Sequence, residues 1–419
     1  MRELVKIRAL FPALAVTLLS SCKDSPRLAP PDAAVITVAA PSVTAPDPTV
    51  GTTRRDDAAS SASVVLDAML DGGANACRLV LGRVQQPFTG PASLVATAAG
   101  MDVITHKNGL ISVESFSAEP LKMAKWKPGR TLDAPPLSAS KPVCASTGPF
   151  AFCADARGDL HRALRAQASD EVIGHADLGA HIVAATLAGH TLVGFLAARA
   201  TTEGRLSEAF VKVDDNPPVR ISEDGNGATE LAFAERGAEV VALLVDARRA
   251  MSPVHARTLS FRGRLAVGPD AVVFIAGGAD RQVSVALATS AAGATFALMP
   301  TTTEHGFGLV SARIESPPKM DAPTRFSAYP NGIDAAPIAA THGGSSMYVA
   351  RVRPLAAEPG SLRVLELGRL DGEGSFSPLG LVDTTGSVVF VAIALDREGG
   401  VWIYYTDAGG SWLERRACP

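Results

Sequence analysis

Aromatic residues are scarce in this chain, 5% of 419 residues, with only 3 Trp and 4 Tyr. Lysine is scarcer than arginine, 9 against 30. With its abundant Ala, Gly and Pro this is the composition of a GC-rich genome, so the aromatic deficit carries little functional weight. Neither sign of charge dominates: 39 basic and 42 acidic side chains leave a net charge of −3 and a pI near 6.3. A general nucleic-acid binder needs a basic stripe, so that class is excluded. The chain also lacks Cys-x-x-Cys, His-Glu-x-x-His, Gly-x-Ser-x-Gly, and a phosphate-binding glycine motif after a strand. These absences remove the sequence case for zinc clusters, zinc proteases, esterase-type nucleophiles and nucleotide enzymes. Ser138-Ala-Ser-Lys141 fits Ser-x-x-Lys, but Pro142 follows it and no Lys-Thr-Gly accompanies it.

What the chain does have is 47% apolar residues, enough for a core, together with 38 Gly and 29 Pro. So many breakers predict short elements joined by turns rather than long helices. The apolar runs after Cys77 are four to eight residues long and rich in Val and Ile. Examples are Val183–Leu187, Thr191–Leu196, Val240–Val245, Ala271–Ile275, Val283–Ala288, Met347–Val352, Val388–Leu395 and Val401–Tyr405. These are strand signals.

Residues 1–22 have three parts. Arg2, Lys6 and Arg8 are basic, Ala9–Leu19 is apolar but too short to span a bilayer, and Leu19-Ser-Ser-Cys22 follows. This end resembles a bacterial lipobox. The resemblance implies a signal peptide at 1–21, diacylation of the Cys22 thiol, and acylation of the new amine. Each buried CH₂ contributes about 0.8 kcal/mol to anchoring. Lys23 after the Cys, with Asp24 one place later, favours the outer membrane; a periplasmic or an outward orientation stays open. Residues 22–63 hold six prolines among Ala, Thr, Ser and Asp and read as a tether, about 35–40 Å across as a coil. Residues 64–419 are the domain, with a helical lead-in expected at Val64–Leu70.

Lipidation of Cys22 leaves Cys77, Cys144, Cys153 and Cys418, an even number for an oxidising compartment. Four cysteines allow three connectivities. Cys144 and Cys153 flank a Gly-Pro turn and are expected to face each other in a hairpin. Cys77 and Cys418, at the two ends of the domain, would then close it, a bridge worth up to about 5 kcal/mol.

A repeat is visible in the turns. Asp155-Ala-Arg-Gly158 and Asp396-Arg-Glu-Gly399 share Asp-x-x-Gly; His106–Gly109 and Glu235–Gly237 are looser relatives. With the turns near Gly189, Gly278 and Gly343 they make seven stations, 31 to 65 residues apart and averaging about 48. That is the period of a four-stranded propeller blade. Asp407-Ala-Gly409-Gly-Ser411-Trp412 resembles the Asp-box turn of sialidase-like propellers, in which the Asp and the Ser or Thr bond the turn and the aromatic packs between strands. The frame recurs in weaker form at Ala291–Phe296 and Asp371–Phe376. The fold expected is all-β: one propeller of seven four-stranded blades, with six or eight blades, or two tandem β-sandwiches, as alternatives.

The sialidase resemblance implies three arginines, a Tyr–Glu pair and an Asp acid. Only Tyr329, Tyr348, Tyr404 and Tyr405 are available, and the motif carrying the first arginine is missing. Adjacent Tyr404 and Tyr405 point to opposite faces, one into the blade core. His175, Asp177 and His181 read as a loop. Asp214, Asp215, Asn216, Glu223, Asp224 and Asn226 are hard oxygen donors that would suit Ca²⁺, and Asx turns account for them without it. No cofactor is expected otherwise. Two polar stretches remain as binding candidates, Asp246–Arg257 with His255 and Arg257, and Tyr329–Asp334 with Tyr329, Asn331 and Asp334. The function expected is a monomeric, lipid-anchored envelope protein whose non-catalytic propeller binds or scaffolds a protein or glycan. The alternative is a glycan hydrolase, which would converge carboxylates, Arg or His in the central funnel.

Overall fold

The computed structural model describes residues 76–419 apart from 87–89, 108–109, 118–126, 132–143, 156, 166–169, 178–181, 202–203, 224–226, 246–251, 277–283, 304–305, 320–323, 329–337 and 356–361. Cys22, the signal at 1–21, the tether and the Val64–Leu70 lead-in therefore lie outside the described residues, as do Tyr329, Asn331 and Asp334.

Every described element is a strand. β1 (Arg78–Gln85) comes first. Blade 1 is β2 (Ala92–Ala96), β3 (Gly100–Lys107), β4 (Leu110–Ser117) and β5 (Lys127–Thr131). Blade 2 is β6 (Cys144–Thr147), β7 (Phe150–Ala154), β8 (Asp159–Leu164) and β9 (Asp170–His175). Blade 3 is β10 (Val183–Leu187), β11 (His190–Thr201), β12 (Gly204–Val213) and β13 (Val219–Arg220). Blade 4 is β14 (Glu230–Arg236), β15 (Glu239–Val245), β16 (Ser252–Phe261), β17 (Leu265–Val267) and β18 (Ala271–Ala276). Blade 5 is β19 (Ala286–Thr289), β20 (Thr295–Thr303), β21 (Gly306–Arg313) and β22 (Thr324–Ala328). Blade 6 is β23 (Ile338–Ala340), β24 (Met347–Pro354), β25 (Arg363–Leu370) and β26 (Phe376–Val382). Blade 7 is β27 (Phe390–Leu395), β28 (Val401–Asp407), β29 (Gly410–Ala417) and, as its outer strand, β1.

In blade 4 the outer place is shared. β17 pairs with Leu259–Phe261, and β18 with the other end of β16. First strands of successive blades are neighbours all the way round, and β27 meets β2. The molecule is a closed seven-bladed β-propeller. Both expected disulfides are present, Cys144–Cys153 across the β6–β7 hairpin and Cys77–Cys418 beside the closing strand.

The core lies between blades rather than at one centre. Separate apolar layers join blades 2, 3 and 4, 4 and 5, 6 and 7, 5 and 6, 7 and 1, and 1 and 2. Both faces of a blade are thus covered, so a strand such as β15 is buried along nearly its whole length and from Val240 to Val245 reads as an unbroken apolar run. The paired tyrosines do point to opposite faces, Tyr404 toward blade 1 and Tyr405 toward blade 6, but both are fully buried rather than one.

Antiparallel blades give the ring two faces. One carries the turns from first to second and from third to fourth strands. Cys77 lies on it, and we call it proximal. The other, distal face carries the second-to-third turns and the connections between blades. The uneven spacing of the sequence stations now has a cause. His106–Gly109 and Asp155–Gly158 join second and third strands, whereas Gly189, Gly237, Gly343 and Gly399 join first and second. Counting only first-to-second turns, positive-φ glycines fall at 100, 148, 189, 237, 293, 343 and 399, one per blade and 41 to 56 apart.

Candidate functional site

Alanine occurs on all seven channel-lining first strands, and their only ionisable side chains are Glu230, Glu235 and Arg236 of β14. Near the proximal mouth these strands are stitched across blades. Thr147 and Thr186 share a hydroxyl bond of 2.8 Å, and the Thr186 N–H donates to Glu235 Oε1 at 2.5 Å. Between blades 5 and 6 the backbone itself pairs. Thr289 N–H donates to Thr341 C=O at 3.2 Å, and Gly343 N–H donates to Thr289 C=O at 2.9 Å. His342 stands in this turn. It keeps exposed surface. Desolvation penalises the imidazolium and pushes its pKa down to about 4.

The second concentration of polar groups is on the distal half of blade 4, facing blade 3. His255 and Arg257 are two apart on β16, so the pleat puts them on one face. The bulge between β17 and β18 delivers Asp270 to both. His255 Nδ1 lies 2.6 Å from Asp270 Oδ2, and Arg257 Nε donates to Asp270 Oδ1 at 3.0 Å. Arg257 also reaches Glu223, in the connection from blade 3, at 3.3 Å. Burial alone would raise the Asp270 carboxyl. The bond and charge of His255, with those of Arg257, outweigh it and hold the group below the usual carboxylate range. His255 Nε2 is buried without a hydrogen-bond partner. The sequence had singled out His255 and Arg257 together; Asp270 and Glu223, from other segments, it had not joined to them.

The other candidates are dispersed. Tyr329, Asn331 and Asp334 fall outside the described residues, but the flanking ends, Ala328 and Ile338, open on the distal face, as do Val245 and Ser252 around 246–251. The acidic stretch is divided between faces. Asp214 and Asp215, in the third-to-fourth turn of blade 3, bond His190 and Arg162, while Glu223 pairs with Arg257 on the distal side; Asp224 and Asn226 are not described. His175 approaches Asp159 at 3.5 Å. Asp177 instead accepts from Ala198 N–H and Ser207 Oγ, and His181 is not described.

The Asp-x-x-Gly turns have one geometry. Asp155, Asp371 and Asp396 each accept from the backbone N–H two and four residues on, at 2.8–3.0 Å. Ser290 does the same for Ala294 at 3.1 Å. Two of the three recurring frames, at 291 and 371, therefore sit in turns of this type. The Asp407 turn is a tighter hairpin in which Asp407 pairs with Gly410. Asp407 accepts from Gly409 N–H, Thr385 N–H and Oγ1, and Trp412 Nε1. Ser411 Oγ accepts from Gly90 N–H at 3.2 Å and bonds Thr406 Oγ1 at 2.7 Å. Burial pushes the Glu114 and Glu414 carboxyls up, and both are on the third strands of their blades, away from the innermost strands.

Fold and geometry together define the chain as a seven-bladed β-propeller protein with alanine on every first strand. The fold recurs in solved structures. A chain of Kuenenia stuttgartiensis hydrazine synthase is similar at TM-score 0.52 and 10% identity, over 80% of this chain and 98% of that one. U3-55K is similar at TM-score 0.49 and 11% identity, over 83% of this chain and 100% of its own. A variant of Aleuria aurantia lectin solved with α-methyl-L-fucoside gives TM-score 0.41 and 11% identity, over 65% and 89%. At 10% identity the likeness to the hydrazine synthase chain is one of fold. No protein-family model matches the chain, and no curated protein matches it.

Proposed function

We propose that this chain is a lipid-anchored protein of the bacterial cell envelope, acylated at Cys22, whose propeller serves as a non-catalytic platform for binding or scaffolding. The observation that carries the reading is the placement of groups. His255 and Arg257 lie toward the distal face, held by Asp270 and Glu223, and the strand ends that flank Tyr329–Asp334 point to the same face. The chain joins the ring at Cys77, on the proximal face. The distal face is the one assigned to a protein or glycan partner. In this reading the Asp407–Trp412 turn is an Asp-box used structurally, fastening the last hairpin to the connection at Thr385 and Gly90.

Metabolic labelling with palmitate tests the anchor. Wild type takes up label, and Cys22→Ala stays unlabelled and uncleaved; label persisting on Cys22→Ala overturns it. Capture of envelope components on the immobilised propeller tests the platform. Arg257→Ala with Asn331→Ala should reduce capture, and substitution of the proximal Arg262 and Arg264 should not. The reverse pattern overturns the distal assignment.

A further inference from the structure

The closing strand is irregularly paired along its length, although Leu81 and Val84 pack into the blade 7–blade 1 layer, and it is tied at both ends. β1 is an outer strand with one unpaired edge. Its register to β29 breaks twice, between Leu79 and Leu81 and between Leu81 and Val84, and it leaves Leu79 54% and Val80 41% exposed. Between the ends its side-chain ties come mainly from Arg83, which stacks 3.6 Å over the Trp412 ring and donates to Asp407 at 3.1 Å. The distal end is fixed by a cluster. Gln86 N–H donates to Ser411 C=O at 2.8 Å, and Gly90 C=O accepts from Tyr404 Oη at 2.9 Å and Thr406 Oγ1 at 3.2 Å. The proximal end is fixed by the Cys77–Cys418 bridge, which joins the residue just before β1 to the residue just after β29.

Any pull on the preceding chain arrives at Cys77. Without the bridge, a pull directed across the ring would act on the first ladder pair, Arg78 with Ala417, and open the ladder one pair at a time from its end. That is the geometry in which a strand resists least, because only one pair bears load at any moment. With the bridge in place the force passes through the disulfide into Cys418 and β29, the third strand of the blade, and β1 is bypassed.

We infer that the Cys77–Cys418 bridge is a force-bearing clamp, which lets an anchored chain be pulled without opening the ring. The physiological need for it rests on the lipid-anchor reading; the mechanical property does not. The clamp transmits tension from the anchor into blade 7 while β1, and the blade 7–blade 1 layer behind it, stay in place.

The experiment is single-molecule extension of the mature chain, with one handle replacing Cys22 and the other in the exposed Arg262–Arg264 turn of blade 4, across the ring. Oxidised wild type should extend until whole blades unfold. Cys77→Ser with Cys418→Ser should add an earlier step, at lower force, releasing residues 78–91, roughly 50 Å of chain. Cys144→Ser with Cys153→Ser should behave as wild type. Reductant added to that last variant during a pull should produce the early step, which supplies the measurement if the Cys77/Cys418 variant fails to fold. The same first step with and without the bridge, or an early step in the oxidised Cys144/Cys153 variant, overturns the clamp. No lipid is involved, so palmitate labelling reports separately on the anchor.

Discussion

At the scale of single residues, burial decides what a side chain contributes. Asp371 and Asp396 make the same turn, with the same pair of backbone bonds. Asp371 is exposed. Asp396 is buried and also takes Trp402 Nε1 at 2.9 Å and Arg415 Nε at 2.7 Å. Those donors outweigh the desolvation that would raise its carboxyl and hold it below its ordinary value. Asp396→Ala removes the buried partner of Arg415 and leaves it only the exposed Glu398, at 2.8 Å, so a loss of about 3 kcal/mol is expected. Asp371→Ala should lose about 1 kcal/mol. Urea denaturation of the two variants measures the difference, and equal losses would show that the turn alone sets the effect.

His342 gives a residue-scale prediction in pH. Its folded pKa of about 4 lies below the ordinary 6.5, so below pH 6.5 the unfolded chain takes a proton that the folded chain refuses. Stability should fall as pH drops from about 6.5 toward 4 and level off below that. The lowered carboxyls of Asp155, Asp270, Asp396 and Asp407 act in a lower window. Their contribution is present above the ordinary Asp value and is lost as pH falls through their folded values. Denaturation midpoints at pH 7 and pH 5 should therefore differ in wild type and differ less in His342→Gln. An undiminished difference in the variant would place the acid sensitivity elsewhere.

At the scale of elements, the sequence shows the strands well and the turns unevenly. Val183–Leu187 matches β10, Val401–Tyr405 lies within β28, and Met347–Val352 lies within β24, because apolar runs bounded by glycine are local signals. The blade period looked irregular because Asp155–Gly158 and Gly189 do different jobs within a blade, and strand order is not written in any turn. Cross-strand partners are harder still. His255 and Arg257 were legible as a pair two residues apart. Asp270 reaches them only through a bulge in the outer strand, and Glu223 from another blade. The buried Arg351–Glu366–Arg353 group, with bonds of 2.8 and 3.0 Å, depends in the same way on β24–β25 register. Close packing between elements is equally hidden. A Cβ on Gly194 of β11 would meet Phe233 of β14 at 2.4 Å, so Gly194→Ala should overpack the blade 3–blade 4 layer and lose about 1–3 kcal/mol. Relief by a second change, Phe233→Leu, would confirm the contact in a double-mutant cycle; additive losses would deny it.

At the scale of the whole molecule, stability depends on a ring with one seam. Six junctions between blades follow from continuous chain, whereas blade 7 is completed by a strand from the far end of the sequence. The two disulfides act at different ranges, closing separations of 341 and 9 residues. Restricting the unfolded chain favours the longer closure by about 3 kcal/mol. Loss of the Cys77–Cys418 bridge should therefore lower the denaturation midpoint more than loss of Cys144–Cys153. It should also change where the molecule first opens. At rest, the bonds from Gly90 to Tyr404 and Thr406 still hold the distal end of β1, so the ring stays closed on average. Openings should become more frequent at the layer of Met101, Phe116, Trp402, Tyr404 and Leu413. Amide exchange should accelerate first in β1, β29 and β2 of the Cys77→Ser/Cys418→Ser protein, with β15 and β20 unchanged. Uniform acceleration around the ring would mean that the blades open together and that the seam has no special weakness.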